Sequence, residues 1–273
     1  MLQPAFASVA EGNLRATIPA LLSSCPWRHQ EAPEIPSRQS VRYTEGVNHD
    51  RSLRFDLDLS EALGRRMHPD ALIVQEDRNL VMAGSGMLDL DAGVGLDAAY
   101  LAIAQHRPLP LGRYLLLRSR GENGYWTYQA VVHDLEAQPT CRAGNVRRSL
   151  TAILRDAINR GMGSLAVTPL GVFRTSGLST EEMVEAFDAS IMEIGVGLSS
   201  GLRLTLLLEE MDALEEISHM LRERLLRKAS RSFRTVDGEA ALVEVRQRGA
   251  RLHCRFVPGS LSGYVVTRVD HVA

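Results

Sequence analysis

The amino-acid sequence predicts an α/β fold with a largely parallel sheet, and three observations lead to this prediction. From Arg51 onward, short apolar strand patterns alternate with helical patterns, as in βαβ units. The segment Val146–Asn159 carries its apolar residues in one stripe at helical spacing. Beyond residue 228, Ala241–Arg246 and Arg251–Phe256 alternate in period two instead, which is typical of an antiparallel sheet.

Composition excludes several classes of protein. The chain has 273 residues, 45% hydrophobic and 23% charged, as expected of a soluble globular protein. Its net charge of −2 argues against a global attraction to nucleic acid, although a local basic patch stays open. The three cysteines show no zinc-ligand or disulfide spacing, and no apolar run approaches the ~20 residues of a membrane span. We therefore expect a cytoplasmic protein without metal or cofactor.

The central elements follow one another in order. We predict strands at Ser52–Leu59, Ala71–Val74, Tyr114–Arg118, Thr127–His133, Ser164–Thr168 and Leu202–Leu208. We predict helices at Ser60–Met67, Leu96–Gln105, Val146–Asn159 and Asp212–Lys228, and one more that opens with the capping box Ser179-x-x-Glu182. The polar residues Gln75–Asn79 indicate a turn after the second strand.

The chain divides into three segments by texture. Residues 1–50 form a proline-containing arm or linker, residues 51–228 the α/β domain, and residues 229–273 a small antiparallel extension. In the extension, Leu252, Cys254 and Phe256 lie on one face of a strand, and Arg251, His253 and Arg255 lie on the other. So small a sheet is not stable alone. Its apolar face must pack on the α/β domain or on a partner chain.

Two glycine-containing loops are candidate ligand sites. Gly93, Val94, Gly95 and Leu96 precede a predicted helix, so their backbone N–H groups can approach a phosphate. The second loop runs from Gly171 to Gly177 between a strand and the capped helix. Ligands of open α/β sheets bind where such strand-to-helix loops gather. The alternative for both loops is an ordinary connection with turn glycines.

Together these segments resemble the macrodomain family. The residues that carry the resemblance are Asp58 at the end of the first strand, Asp70–Val74, the loop-to-helix step Gly93–Tyr100, the strand Ser164–Pro169 and the loop-closing Gly177. The last family strand and helix match Leu202–Leu208 and Asp212–Leu226. The resemblance covers residues 51 to 226 in the right order, although each motif is degenerate.

The resemblance implies a three-layer α/β/α mixed sheet that holds an ADP-ribose-type nucleotide. Asp58 would accept a hydrogen bond from the adenine amino group. The backbone of Gly93, Val94, Gly95 and Leu96 and the second loop would bracket the diphosphate; the loop's candidate contacts are Gly171, Arg174, Thr175, Ser176 and Gly177. Asp97 matches the acid with which hydrolytic members activate water, acting as a general base.

The departures from the family pattern concern two places. The family's Asn-Ala-Ala-Asn step is replaced by Gln75-Glu76-Asp77-Arg78, so the asparagine that grips the distal ribose is missing. The glycine-rich centre of the second loop is replaced by Arg174-Thr175-Ser176. These side chains either block the phosphate pocket or allow Arg174 to make a charge-assisted phosphate contact.

Three functions remain open from the sequence. The leading one is binding of ADP-ribose or a related NAD-derived nucleotide, for recognition or sensing. The second is removal of ADP-ribose from proteins, with Asp97 as the general base. The third is a degenerate scaffold that acts through protein contacts, with a protein partner or a second copy held by the C-terminal extension. Neither a membrane nor nucleic acid is an expected partner.

Overall fold

The computed structural model describes residues 52–82, 107–118, 126–172, 176–198, 200–234, 240–256 and 263–269. The strands are β1 Ser52–Leu59, β2 Ala71–Asp77, β3 Arg113–Arg118, β4 Trp126–His133, β5 Ser164–Val167, β6 Leu202–Leu208, β7 Ala229–Arg234, β8 Ala240–Gln247, β9 Ala250–Phe256 and β10 Gly263–Val269. The described helices are α1 Ala143–Asn159, α2 Thr180–Val196 and α3 Met211–Lys228. None of these helices is long and apolar enough to cross a membrane.

The ten strands form one mixed sheet in the order β3-β4-β2-β5-β6-β1-β10-β9-β8-β7. Strands β4, β2, β5, β6 and β1 are parallel neighbours, whereas β3 and the four C-terminal strands pair antiparallel. The carboxyl ends of the five parallel strands therefore meet at one edge of the sheet. This is the predicted α/β architecture with its C-terminal antiparallel extension.

Strand β1 lies in the interior of this sheet. It pairs in parallel with β6 and antiparallel with β10. Its alternate residues Leu53, Phe55 and Leu57 are buried in the main core, to which α1, α2 and α3 all contribute. The Phe55 ring lies 6.3 Å from that of Phe187 in α2 and 5.8 Å from that of Tyr264 in β10. One residue of β1 thus joins the helical layer to the C-terminal strands.

Helix α2 begins at the predicted capping box. The Ser179 hydroxyl accepts a hydrogen bond from the Glu182 N–H at 3.3 Å, and the Glu182 carboxylate accepts one from the Ser179 N–H at 2.9 Å. Near its other end, Gly195 lies so close to β10 that an added Cβ would stand 2.8 Å from Val266 Cγ1. The absent side chain lets the helix approach the sheet.

The apolar face of the C-terminal extension packs on the α/β domain. Val243, Cys254 and Val266 form a buried row across β8, β9 and β10, in register with Leu53 of β1. They belong to the same core as α2 and α3. The sequence left open whether this apolar face packs on the α/β domain or on a partner chain, and in the structure it packs on the α/β domain. The extension also has a fourth strand, β7, which follows α3 directly and was not predicted.

Two predicted elements differ in the structure. Strand β2 does not end at Val74: it continues through Gln75, Glu76 and Asp77, which pair with β4. The predicted helix at Ser60–Met67 is a single 3₁₀ turn, Ser60–Ala62, followed by Gly64 with a positive φ of 77°. Its few apolar residues do not sustain a full amphipathic helix. The predicted helix at Leu96–Gln105 lies outside the described residues.

A buried ion pair joins α2, α3 and β10. Asp188 of α2 is fully buried, and its carboxylate pairs with the ammonium group of Lys228 at the end of α3. The Tyr264 hydroxyl of β10 donates a hydrogen bond to Asp188 Oδ1 at 3.1 Å. Lys228 is the only lysine of the chain. The pair therefore fixes the junction between the helical layer and the extension.

We expect Lys228→Met to lower the free energy of unfolding by up to about 3 kcal/mol, because it removes the nearest cation from the buried Asp188 carboxylate and leaves the Arg224 guanidinium at 3.8 Å. The matched control is Arg227→Met, which removes an exposed i,i+4 pair with Glu223 and should cost less than about 1 kcal/mol. Urea denaturation of the three proteins measures both effects. Equal stability of the two variants would contradict a structural role for the pair.

Candidate functional site

The candidate site lies along the carboxyl edge of the parallel strands. Asp58 is the penultimate residue of β1, Gly171 follows β5, and Gln75 lies near the end of β2. The structure brings Gly171 and Gln75 into contact and places Asp58 across β6 from them. The other predicted residues Gly93, Val94, Gly95, Leu96, Asp97, Arg174 and Thr175 lie outside the described residues.

The Asp58 carboxylate is half-buried, and one of its two oxygens already accepts hydrogen bonds. Its Oδ1 accepts hydrogen bonds from the Leu59 N–H at 2.8 Å and from the Arg66 guanidinium at 2.5 Å. Among the described residues, both contacts end on Oδ1. A carboxylate oxygen can accept more than one donor. Oδ2 is therefore available to a ligand amine.

A cavity of about 650 Å³ opens beside Asp58. Its wall includes Arg54, Asp56, Arg66 and Arg203, and it reaches from the carboxyl end of β1 back toward the amino end. Arg54 and Arg203 both approach the Asp56 carboxylate, at 2.7 and 3.7 Å. Gly171 and Ser176 are not part of this wall. This cavity therefore lies beside Asp58 and does not extend to the second loop.

Gly171 forms the base of the second loop. Its φ of +84° is in the left-handed region, and an added Cβ would stand 2.8–3.0 Å from Leu178, Val146 and Cys141. The Leu178 N–H donates to the Gly171 carbonyl at 2.8 Å, which closes the loop. Gly171 is buried, so backbone conformation and packing explain the glycine here.

The Gln75 carboxamide holds the start of this loop. Its Oε1 accepts the Gly171 N–H at 3.0 Å, and its Nε2 donates to the Val172 carbonyl at 3.1 Å. Oε1 also lies 2.9 Å from Nε2 of the fully buried His133. A carbonyl oxygen only accepts, so this His133 nitrogen carries the proton. Sequence reasoning missed this contact, and its one signal was a polar residue directly after the apolar run of β2.

Thr140 holds the other end of the loop. Both its N–H and its hydroxyl donate to the Ser176 carbonyl, each at 3.0 Å. The Thr140 hydroxyl oxygen also lies 3.4 Å from Nδ1 of His133. Ser176 and Gly177 are half-buried at this end. The loop is thus fixed to β2 at one end through Gln75 and to the segment after β4 at the other end through Thr140.

Two carboxylates are fully buried next to Gln75. Oε1 of Glu76 accepts from the backbone N–H groups of Asp77 and Met82, at 2.9 and 2.8 Å. Oε2 of Glu76 is buried and has no hydrogen-bond partner in the described part of the chain. Asp77 accepts the N–H groups of Asn79 and Val81, at 2.9 and 2.6 Å. These carboxylates therefore shape the turn that follows β2.

Burial shifts the protonation of this region. It raises the pKa of Glu76 to about 7, against the backbone N–H groups of Asp77 and Met82, which lower this pKa, and together with the Asp77 charge, which raises it. Burial likewise lowers the pKa of His133 to about 4, against the opposing effect of Asp77. At neutral pH His133 is uncharged. Within the described ranges, no group of His, Cys, Asp and Glu side chains is arranged to hold a metal ion.

We expect Glu76→Gln to remove a decrease in the free energy of unfolding that the wild-type protein shows as pH rises. Because the folded-state pKa of Glu76 exceeds its unfolded value of 4.5, the folded state binds the extra proton between pH 4.5 and about 7. The free energy of unfolding therefore falls as pH rises through this window. We expect a wild-type loss on the order of 3 kcal/mol relative to the variant.

Denaturation at pH 4.5 and pH 8 measures this difference. The control is Glu215→Gln, at an exposed position of α3. An unchanged pH profile in Glu76→Gln would show that the Glu76 carboxyl ionises as freely as an exposed one.

Solved macrodomains share this fold. A point mutant of the Oceanobacillus iheyensis macrodomain matches with a TM-score of 0.51 at 13% identity, over 67% of this chain and 96% of that one. The same macrodomain with MES bound matches with a TM-score of 0.51 at 12% identity, over 67% of this chain and 96% of that one. The same macrodomain with ADP matches with a TM-score of 0.50 at 13% identity, over 65% of this chain and 97% of that one. No model of a known family and no curated protein matches the chain. The chain therefore has a macrodomain-like fold.

Proposed function

We propose that this protein binds ADP-ribose or a related NAD-derived nucleotide along the carboxyl edge of its parallel strands. The observation that carries the proposal is the half-buried Asp58 carboxylate beside a cavity, at the end of a strand in a macrodomain-like sheet. A solved macrodomain of this fold holds ADP. Ligands of open α/β sheets bind at this edge.

The adenine end of the ligand lies at Asp58. The exocyclic amine donates a hydrogen bond to Oδ2, while Arg66 and the Leu59 N–H hold Oδ1. A charged acceptor makes this contact stronger than a neutral one would. The cavity beside β1 provides the volume for the base.

The diphosphate lies between the two glycine-containing loops. The second loop is held at both ends, by Gln75 and by Thr140. Arg174, Thr175 and Ser176 are the candidate phosphate contacts of this loop, and the backbone of Gly93–Leu96 is the other proposed contact. The resulting module recognises or senses a nucleotide. The hydrolase alternative, with Asp97 as general base, remains a separate prediction.

Asp58→Ala should weaken ADP-ribose binding by about 1.5–3 kcal/mol, or roughly tenfold to a hundredfold, because it removes a charged hydrogen-bond acceptor. Isothermal calorimetry measures the affinity. Wild-type protein should also melt at a higher temperature with ligand, since binding stabilises the folded state by mass action.

Asp56→Ala is the matched control. Asp56 lies two residues earlier on the same face of β1 and lines the same cavity, but it is farther from the carboxyl edge. We expect little change in affinity. Equal losses in both variants would assign the effect to the charge of the cavity. The absence of heat and of a melting shift at millimolar ADP-ribose would leave the scaffold function in its place.

A further inference from the structure

Strands β6, β1, β10, β9 and β8 have one face that is turned away from the described helices. The buried apolar residues of α1, α2 and α3 belong to the main core, together with Leu53, Cys254 and Val266 of these strands. Successive side chains of a strand point to opposite faces, so the residues next to these core positions lie on the other side of the sheet. We call that side the outer face.

Arginines are concentrated on the outer face. Arg54 of β1 and Arg203 of β6 are register partners, and Arg246 of β8 and Arg251 of β9 form a second such pair. Arg255 of β9 lies in the same row as Arg54, since both pair with the same residue of β10. Each of the five is next in sequence to a buried core residue of its strand. From β6 to β8 the face spans four strand spacings, or about 19 Å.

These arginine side chains reach solvent. The exposed fraction of the side chain is 67% for Arg246, 56% for Arg203 and 38% for Arg54. Arg255 is also exposed, and Arg251 is half-buried. The guanidinium groups are therefore accessible to a large partner that approaches the sheet from this side.

The carboxylates on this face offset only part of the positive charge. Apart from the Asp58–Arg66 pair at the carboxyl edge, the described part of the outer face carries two of them. Asp56 lies within 3.7 Å of both arginines of the first pair. Glu244 is buried and lies 3.9 Å from Arg246. Five arginines against two carboxylates leave an excess of three positive charges.

We propose that the outer face binds the phosphate backbone of double-stranded DNA. The net charge of −2 does not predict this contact, because it averages the arginines of one face with the acidic residues of the whole chain. The contact does not depend on nucleotide binding at the carboxyl edge. Three of the five arginines lie on the C-terminal extension, outside the wall of the cavity beside Asp58.

The charge and the width of the face fit a DNA duplex. Double-stranded DNA carries one negative charge per ~1.7 Å of its axis, so phosphates are present over the whole width of the face. A guanidinium group binds a phosphate through two parallel hydrogen bonds. Contacts to the phosphate backbone carry no information about the bases, so the binding does not depend on sequence.

Other anionic macromolecules match the face less well. Its described side chains include no Phe, Tyr or Trp on which the bases of a single strand could stack. An RNA duplex is recognised partly through its 2′-hydroxyl groups, and the Asp56 and Glu244 carboxylates that could accept them already lie next to arginines. An acidic protein would need carboxylates at intervals that match the two arginine pairs.

Fluorescence anisotropy of a labelled DNA duplex titrated with the full chain tests the proposal. We expect binding at about 50 mM salt, with a slope of log affinity against log salt of about −3, because the excess of three arginines displaces counterions from the DNA. Two duplexes of different sequence should bind within about threefold of each other. Lack of DNA binding at this salt overturns the proposal. Tighter binding of an RNA duplex, a single strand or polyglutamate also overturns it and assigns the face to that class of partner.

Arg246→Ala/Arg255→Ala removes two of the proposed contacts. We expect the affinity for the duplex to fall at least about tenfold and the salt slope to shrink by about two. The matched control is Arg155→Ala/Arg227→Ala, which removes the same charge from exposed positions of α1 and α3 and should keep the wild-type affinity. Equal losses in both variants would show a response to net charge alone and would overturn the proposal.

Arg246→Lys/Arg255→Lys keeps the two charges and should restore most of the affinity, because a phosphate also accepts an ammonium group. Circular dichroism checks that each variant is folded. If the double alanine variant does not fold, Arg255→Gln alone, with Arg227→Gln as its control, decides the question. An unchanged affinity and salt slope in Arg255→Gln would overturn the proposal.

Discussion

The structure depends on the double pairing of β1. This strand is hydrogen-bonded to β6 on one side and to β10 on the other, so it closes the parallel sheet and starts the antiparallel extension at the same time. Its side chains Leu53, Phe55 and Leu57 enter the core beneath the helices. Its end presents Asp58 at the edge of the sheet. A shift of one residue in its register would turn the apolar set outward and move the carboxylate to the other face.

Local patterns in the sequence were sufficient for most elements. The period-two strands, the stripe of α1 and the capping box of α2 each follow from residues close in the chain, and the structure contains all of them. The end of β2 and the whole of β7 could not be predicted in this way. Gln75, Glu76 and Asp77 are polar and read as a turn, and they stay extended because β4 and the loop after β5 supply their partners.

The candidate site also has parts that the sequence predicts and parts that it does not. Asp58 and the second loop could be named as candidates from the sequence, because a resemblance to a family ties single residues to places in a fold. The contacts that Gln75, His133 and Thr140 make with one another and with the Ser176 carbonyl could not, since these residues come from four separate segments. The position of Gly171 was predictable, but the reason for the glycine was not. Its φ and the packing against Val146 and Cys141 appear only in the folded chain.

The single lysine of the chain makes the contact between α3 and α2 accessible to chemical labelling. Apart from the amino terminus, Lys228 carries the one amine of the protein, and that amine is engaged by the buried Asp188. An amine is nucleophilic only when it is deprotonated and free of its counter-ion. The rate at which an acylating reagent modifies this residue therefore reports how often the end of α3 releases Asp188 of α2, and mass spectrometry can measure that rate on one peptide.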